Sequence, residues 1–212
     1  MIKKAREKVS PSVIRRLPRY RRRLTELLDK GVTRISSKEL SQITGFTASQ
    51  IRQDLNNFGG FGQQGYGYNV NDLYEEVGRI LGLDKDYNVI LVGFGNLGQA
   101  VANYTYFNKI GFKICAIFDV NSDIIGKKVN DIEVFDYDTL DAYLAEHKID
   151  IGIISTGKNS AQEVANRLSQ GKVRGIWNFA SIDLDVPEAV VLENVHLSDS
   201  LYTLAYYINQ ND

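Results

Sequence analysis

A glycine-rich fingerprint in the middle of the chain constrains the fold more than any other segment. It follows the continuous apolar run at 89–92 and has the sequence Gly93-Phe-Gly95-Asn-Leu-Gly98. In this G-x-G-x-x-G pattern the first glycine makes a tight turn, the second lets the backbone approach a pyrophosphate, and the third allows close packing of a helix on a strand. The pattern therefore predicts a strand, a turn and a helix that runs over 96–107, with phosphate on the amides at its start.

The residues after the fingerprint strengthen this interpretation. The apolar segment 112–118 predicts the next strand and ends at Asp119. A carboxylate there accepts hydrogen bonds from ribose hydroxyls and repels the extra phosphate of NADP, which favours NAD, although it could also be an ordinary loop aspartate. Strands predicted at 149–154 and 175–179, with a helix over 160–170 between them, indicate a parallel, doubly wound α/β sheet.

Loops at the carboxyl ends of these strands are where such sheets bind ligands. We therefore predict cofactor contacts in the fingerprint, at the end of the second strand and in two later loops. The predicted residues are Gly93, Phe94, Gly95, Asn96, Leu97, Gly98, Asp119, Thr156 and Phe179.

The 87 residues before the fingerprint indicate a different kind of module. Ser10-Pro11 predicts a capped helix start, and Ile14, Leu17, Leu24, Leu27 and Leu28 predict its buried face. Two capping boxes follow, Ser36 with Glu39 and Thr47 with Gln50, separated by Gly45. A helix, a turn containing glycine and a second helix form the helix-turn-helix pattern.

The second of these helices has one apolar and one polar side. Ile51, Leu55 and Phe58 repeat at helical spacing and are expected in the core. The outward residue types read base edges or phosphates in a major groove, although any two capped helices can mimic the pattern. The predicted DNA contacts on this helix are Ser49, Gln50, Arg52 and Gln53.

A glycine-rich segment follows, with five glycines among the ten residues 59–68. We interpret it as a hairpin wing with Gln63 and Gln64 at its tip, although a flexible linker is the alternative. Phe61, Tyr66 and Tyr68 favour the wing because aromatic rings bury area and fix geometry. Gln63, Gln64 and Tyr68 complete the predicted DNA contacts.

Charge is distributed unevenly along the chain. Residues 1–69 carry 14 basic and five acidic residues, a net charge of +9, whereas residues 70–212 carry a net charge of −10. A basic first third neutralises phosphates, unless it is a solvated face without a partner. The single cysteine, and the lack of a signal peptide, a transmembrane run or a metal-ligand cluster in the sequence, lead us to expect a cytoplasmic protein.

Three segments follow from these patterns. We predict a winged-helix DNA-binding domain at 1–80, a Rossmann NAD(H)-binding domain at 86–195 and a C-terminal helix at 196–212. The last carries an apolar stripe that includes Leu201, and it packs on its own domain or docks into a partner subunit.

Six segments carry a resemblance to a known family. They are Ile51-Arg-Gln-Asp-Leu55, Phe58-Gly-Gly-Phe-Gly62, Gly65-Tyr-Gly-Tyr68, Val92-Gly-Phe-Gly-Asn-Leu-Gly98, Phe118-Asp119 and Trp177-Asn-Phe-Ala180. Taken together, they resemble the Rex family of redox-sensing bacterial repressors. The resemblance runs from about Val13 to Ile208. It implies a homodimer with a swapped terminal helix, and binding to inverted-repeat operators of fermentation and anaerobic metabolism genes. It also implies that NADH weakens DNA binding and that NAD⁺ competes with NADH, both as ligands and not as redox co-substrates.

The resemblance also assigns roles to individual residues. Tyr104 matches the family's tyrosine near the nicotinamide, and Arg22 matches an arginine that contacts the swapped helix. His196 stands where the family often has an aspartate able to pair with that arginine. His196 is then either a neutral hydrogen-bonding side chain or a titrating group that repels Arg22 when protonated. Ser181 stands where a proline is common.

Two other functions compete with a repressor. An NAD-dependent oxidoreductase would need a substrate domain and a catalytic frame, and neither His147 nor His196 lies in one, so we expect no enzyme. A regulator that binds coenzyme A or another nucleotide is the second alternative, although Asp119 would repel the 3′-phosphate of coenzyme A.

Overall fold

The computed structural model describes residues 9–59, 62–63 and 66–210, and the side chains of residues 62 and 63 are not described. The chain forms two compact units that divide between Lys85 and Asp86. None of the helices in the described ranges combines the length and the apolar character needed to cross a membrane.

The first unit contains four helices and a small antiparallel sheet. The helices are α1 (Pro11–Asp29), α2 (Ser37–Thr44), α3 (Ala48–Asn56) and α4 (Val70–Ile80). The strands are β1 (Arg34–Ile35), β2 (Gly62–Gln63) and β3 (Gly67–Asn69), in the spatial order β1-β3-β2. A helix-turn-helix followed by a hairpin on a three-stranded sheet is the winged-helix arrangement that the sequence predicts.

Both predicted capping boxes are confirmed. The Ser36 hydroxyl accepts from the Glu39 amide at 3.1 Å while the Glu39 carboxylate accepts from the Ser36 amide at 2.8 Å. Thr47 and Gln50 make the same exchange, with 3.1 Å in each direction. Because Glu39 accepts hydrogen bonds from the Ser36 backbone and side chain, its pKa lies below the usual value. Gly45 ends α2 in the left-handed region at φ 74°, which glycine adopts without steric cost.

The start and the buried face of α1 differ from expectation. Pro11 begins the helix as predicted, but the Ser10 side chain makes no capping hydrogen bond. The helix buries Val13, Leu17, Tyr20 and Leu24, and Ile14 is 39% exposed. Tyr20 contributes an amphipathic ring that the apolar pattern did not count, and its inclusion rotates the buried stripe by about one residue. Pro18 lies inside α1.

The hairpin of the wing is present, but Tyr68 is not on its surface. In the β2–β3 pairing, Gly62 faces Tyr68 and Gln63 faces Gly67. Tyr68 is only 9% exposed, packs in the core of the first unit, and has a pKa raised by burial. Its position on β3, between β1 and β2, directs the ring toward the helices, which corrects its prediction as a DNA contact. Gln64 lies outside the described residues.

The second unit is built on a seven-stranded sheet with the spatial order β10-β9-β8-β4-β5-β7-β6. Its strands are β4 (Tyr87–Val92), β5 (Phe112–Asp119), β6 (Lys128–Val129), β7 (Ile132–Asp136), β8 (Ile151–Ile154), β9 (Gly175–Asn178) and β10 (Val191–Asn194). Its helices are α5 (Asn96–Ala102), α6 (Tyr106–Lys109), α7 (Leu140–Glu146), α8 (Lys158–Gln170) and α9 (Leu197–Asn209).

This sheet is doubly wound, as the sequence predicts. All neighbouring strands pair in parallel except β6 with β7. The central strand β4 is buried on both faces: Ile90 and Val92 belong to one apolar core, and Val89 and Leu91 belong to the other. A continuous apolar run is therefore what a central parallel strand requires.

The helix predicted over 96–107 is interrupted. Helix α5 ends at Ala102 and α6 begins at Tyr106. Between them, the Asn103 side chain donates to the Gln99 carbonyl at 2.8 Å and accepts from Asn130 at 2.7 Å. An asparagine that bonds the preceding turn offers the backbone an alternative to continuing the helix.

Candidate nucleotide pocket and nucleic-acid interface

The carboxyl ends of β4, β5 and β8 surround a cleft of about 300 Å³. The chain leaves β4 toward β5 and β7 on one side and then crosses to β8 on the other side, so the strand order reverses at this point. Doubly wound sheets bind their ligands in the crevice at such a reversal. The predicted residues Gly93, Gly95, Asp119 and Thr156 all line this cleft.

The three fingerprint glycines are required for three different reasons. Gly93 has φ +93°, and a Cβ there would lie 2.9 Å from the Ser155 backbone. A Cβ on Gly98 would overlap the Gly93 carbonyl oxygen, so this glycine allows α5 to pack closely on the turn. A Cβ on Gly95 would meet nothing within 4 Å, because this position faces the open cleft. Only Gly95 therefore keeps space free for a ligand, while the other two shape the turn.

Asp119 is already tied to the fingerprint. Its Oδ2 accepts from the Phe94 amide at 2.5 Å, and its Oδ1 accepts from the Asn121 amide at 2.9 Å. A carboxylate has about four acceptor positions, so each oxygen retains capacity for a further donor. The carboxylate thus holds the turn and remains available to hydroxyl groups in the cleft.

Two neighbouring hydroxyls after β8 differ in their hydrogen bonds. The Ser155 hydroxyl donates to the Gly93 carbonyl at 2.7 Å. The Thr156 hydroxyl is buried and has no partner among the described residues. Unpaired buried hydroxyls are uncommon in native proteins, and this one lines the cleft, where it is within reach of a ligand.

Tyr137 also lines the cleft and was missed by the sequence analysis. Its hydroxyl lies 3.3 Å from a Glu163 carboxylate oxygen, and the Arg167 guanidinium lies 4.3 Å from its ring centre. Burial raises the pKa of Tyr137, against the opposing effect of Arg167. Tyr137 follows β7, a strand that we did not predict, so no signal directed attention to it.

The other predicted cofactor residues do not line this cleft. Phe94 is buried with Leu97 partly buried beside it, whereas Asn96 begins α5 on the surface. Phe179 packs on Trp177, with ring centres 4.6 Å apart. Tyr104 is 54% exposed and lines a separate cleft of about 700 Å³. Their roles as cofactor contacts remain predictions.

In the first unit, α3 has the polar and apolar sides that the sequence predicts. Ile51 and Leu55 are buried and Phe58 packs against the same core, whereas the four predicted DNA contacts on this helix are exposed. Gln50 is also occupied in the capping box, and the Arg52 guanidinium donates to the Ser37 hydroxyl at 3.0 Å. Arg52 is thus held near the start of α2 on the outer surface of the motif.

The predicted switch residues have different environments. Arg22 and Leu201 are exposed, on α1 and α9 respectively. His196 precedes α9, and its Nε2 lies 3.2 Å from Asp183 Oδ1. Asp183 is therefore an acidic neighbour of His196 that the sequence analysis did not consider. Within the described part of the chain, no group of three or more His, Cys, Asp or Glu side chains is arranged to hold a metal.

Comparison with known proteins identifies the family. Residues 84–182 match a model for CoA-binding domains, and residues 8–56 match a model for the N-terminus of proposed DNA-binding proteins. The redox-sensing transcriptional repressor Rex of Thermoanaerobacter pseudethanolicus is 60% identical over 97% of this chain and 92% of its own length. The Rex repressor of Clostridioides difficile is 58% identical over 95% of this chain and 96% of its own length. The chain belongs to the Rex family of redox-sensing transcriptional repressors.

Solved structures of a Rex-family repressor agree with this assignment. RSP in complex with NAD⁺ and operator DNA superposes with a TM-score of 0.92 at 59% identity, covering 97% of this chain and 94% of that one. RSP in complex with NADH superposes with a TM-score of 0.91 at 56% identity, covering 97% and 96%. Both curated relatives are named as redox-sensing transcriptional repressors, which is the function that the sequence analysis favours over an oxidoreductase.

Proposed function

We propose that this protein is a transcriptional repressor that senses the ratio of NADH to NAD⁺. The observation that carries the proposal is the cleft at the ends of β4, β5 and β8, which combines a glycine turn, a carboxylate and an unpaired hydroxyl. In this protein NADH and NAD⁺ act as ligands, and the binding of NADH releases the repressor from operator DNA.

The cleft suits NAD(H) better than NADP or coenzyme A, which carry an additional phosphate on the ribose. Gly95 leaves room for a pyrophosphate to approach the turn that Gly93 forms, Asp119 accepts from ribose hydroxyls, and Thr156 supplies a further polar contact. Among the described residues, those that line the cleft include no lysine or arginine. An additional ribose phosphate, as in NADP or coenzyme A, would meet the Asp119 carboxylate without a compensating cation. Contacts of NAD(H) with Phe94, Asn96, Leu97, Tyr104 and Phe179 are part of the same proposal.

DNA binding is assigned to the first unit. The exposed face of α3 carries Ser49, Arg52 and Gln53, which suit the major groove, and the β2–β3 hairpin with Gln63 forms the wing. The net charge of +9 over residues 1–69 supplies the sequence-independent attraction to phosphates. The RSP complex with operator DNA supports the same role for this chain.

We further propose a homodimer in which α9 is exchanged between subunits. Every residue of 201–210 is exposed, and the apolar and aromatic residues of α9 are 54–71% exposed. These residues are Leu197, Leu201, Tyr202, Leu204, Tyr206, Tyr207 and Ile208. An apolar helix face that the described residues leave this exposed is suited to packing on a partner, and a two-fold dimer matches an inverted-repeat operator. The dimer acts in the cytoplasm, where NAD(H) and the chromosome are both accessible.

Linkage explains how the cofactor controls DNA binding. NADH must bind more tightly to the arrangement that does not bind DNA, and operator DNA then weakens NADH binding by the same factor. Typical couplings of about 1–3 kcal/mol change affinity by roughly 5- to 150-fold. Movement of the two winged helices relative to each other would change the half-site spacing and produce this coupling.

The test uses fluorescence anisotropy of a labelled duplex carrying an inverted repeat selected from a random pool. We expect NADH to release the protein in the presence of excess NAD⁺, and coenzyme A and NADPH to have little effect. Arg52→Ala should abolish operator preference without weakening NADH binding. Arg79→Ala, which removes another exposed arginine of the first unit, is the matched control and should bind as the wild type does. Tight DNA binding that ignores NADH would refute the sensor.

A further inference from the structure

One acidic residue of α3 points inward, although the helix is proposed to face DNA. Asp54 is 2% exposed, while its neighbour Gln53 is on the surface. A buried carboxylate is costly unless it is paired and hydrogen-bonded, so its partners define what it does.

Both partners of Asp54 come from α1. Arg16 donates from Nε and Nη2 to the two carboxylate oxygens, each at 2.7 Å, and the Tyr20 hydroxyl donates to Oδ2 at 2.6 Å. The bidentate geometry is the strongest and most directional form of ion pair in proteins. Burial and the hydrogen bond to Asp54 raise the pKa of Tyr20, so the phenol remains a donor throughout the physiological range.

The same side of α1 also holds the turn of the helix-turn-helix. The Arg16 and Arg19 guanidinium groups lie 5.9 Å and 5.1 Å from the centre of the Phe46 ring. Tyr20 meets that ring edge-on, with ring centres 5.5 Å apart. Helix α1 therefore fixes α3 at two places, in the turn before it and at Asp54 within it.

Directional contacts matter because the other buried anchors of α3 are apolar. Ile51 and Leu55 bury area, and such contacts depend little on the exact rotation of the helix about its axis. Arg52 and Asp54 lie about 200° apart around the helix, so Asp54 is held on the side opposite the DNA-facing surface. A rotation of about 10° at a side-chain radius of about 6 Å displaces the outer groups by roughly 1 Å, which is enough to break a hydrogen bond to a base edge.

We infer that Asp54 is a positioning residue for DNA reading: with Arg16 and Tyr20 it fixes the rotation of α3 and thereby aims the exposed side chains at the bases. The inference rests on the proposed DNA-binding function. It has a second consequence. Arg16 is neutralised by Asp54, and loss of the carboxylate leaves a cation on α1 that is free to attract phosphate without regard to sequence.

The test compares a selected operator duplex with a scrambled duplex over a series of salt concentrations. Asp54→Asn keeps the size of the side chain and removes its charge. We expect operator affinity to fall about 10-fold, which is the lower part of the range for one lost base contact. Affinity for the scrambled duplex should hold or rise, with a salt slope steeper by up to about 0.9 for one added phosphate contact.

Arg16→Lys separates geometry from charge because lysine keeps the charge and loses the bidentate fork. It should lower the ratio of operator to scrambled affinity, and it decides the question if Asp54→Asn does not fold. Tyr20→Phe removes only the phenol hydrogen bond and should give a smaller decrease in that ratio. Glu26→Gln is the matched control, because Glu26 is exposed and pairs with Arg23 within α1.

The outcomes distinguish this inference from the proposed function. A wild-type protein without operator preference would refute both. A wild-type preference that is unchanged in Arg16→Lys, or equal losses on the two duplexes in each variant, would show that the network only stabilises the fold. A reduced ratio in the network variants, with Glu26→Gln unchanged, supports the positioning role.

Discussion

The unpaired hydroxyl of Thr156 leads to a prediction with opposite effects on stability and on ligand binding. Its Oγ1 is buried at the cleft and has no partner among the described residues, whereas the neighbouring Ser155 hydroxyl is satisfied by the Gly93 carbonyl. Thr156→Val replaces the hydroxyl with a methyl group of nearly the same shape. The substitution therefore removes an unpaired polar group from the free protein and a potential donor from the complex.

The sizes of both effects follow from the contacts. A buried hydroxyl without a partner costs about 1–3 kcal/mol, so Thr156→Val should raise the free energy of unfolding of the second unit by about 1 kcal/mol or more. For a unit of this size, that corresponds to an increase in Tm of roughly 3–4 °C per kcal/mol. In the complex the hydroxyl contributes about 0.5–1.5 kcal/mol, so NADH affinity should fall about 2- to 13-fold.

Thermal unfolding without ligand and titration with NADH measure the two effects separately. Ser155→Ala is the control: it removes a satisfied hydrogen bond, so it should lower the Tm of the free protein by a similar amount. If Thr156→Val lowered the Tm as Ser155→Ala does and left NADH affinity unchanged, the hydroxyl would be structural, and its assignment to the ligand would be wrong.

Three further predictions concern the cofactor site and the first unit. Gly95→Val should remove the NADH response and preserve folding and DNA binding, because a Cβ there meets no protein atom within 4 Å. Anisotropy of labelled operator DNA, measured with and without NADH, tests this, and a retained response would refute the assignment of the site. Asp119→Ser should raise NADPH affinity relative to NADH by about 10-fold or more in competition titrations, since it removes the charge that repels a ribose phosphate. Burial raises the pKa of Tyr20, so the folded state holds the phenol proton more tightly than the unfolded state does. The resulting contribution to the free energy of unfolding is complete below a pH of about 10 and is lost as the pH rises above it. Above this pH, the free energy of unfolding of the first unit should therefore fall less steeply with pH in Tyr20→Phe than in the wild type. Equal pH dependence in both proteins would contradict the linkage.

The sequence predicted correctly the elements that depend on residues close to one another along the chain. The two capping boxes, the glycine turn and the apolar strand β4 each depend on residues within a few positions of one another, and all are present. Tyr68 was predicted to contact DNA because it belongs to the wing segment. Its burial depends on the pairing of β3 with both β1 and β2, which is a tertiary contact that sequence spacing does not encode.

Asp54 shows how a polar residue escapes pattern analysis. It lies three positions after Ile51, on the side of α3 that the apolar residues occupy, and so violates the apolar pattern. That violation was the available signal, but its meaning depends on Arg16 and Tyr20, which are 38 and 34 residues away. Strands β6, β7 and β10 were missed for a related reason, because short strands carry little periodicity of their own. Tyr137 was missed with β7.

The part of the site that distinguishes NADH from NAD⁺ must lie outside the cleft at Asp119. NAD⁺ and NADH share the adenosine and pyrophosphate groups, so the proposed contacts with Gly93, Gly95 and Asp119 cannot distinguish one form from the other. A ligand that binds two protein states equally does not shift the equilibrium between them. The sensor therefore needs a part of the site at which NADH and NAD⁺ bind differently. That difference must arise at the nicotinamide ring, whose charge and planarity change on reduction. The sequence-predicted residues beyond this cleft, Phe179 and Tyr104, are therefore where substitutions should alter the NADH to NAD⁺ preference, whereas Asp119 substitutions should weaken both forms in parallel.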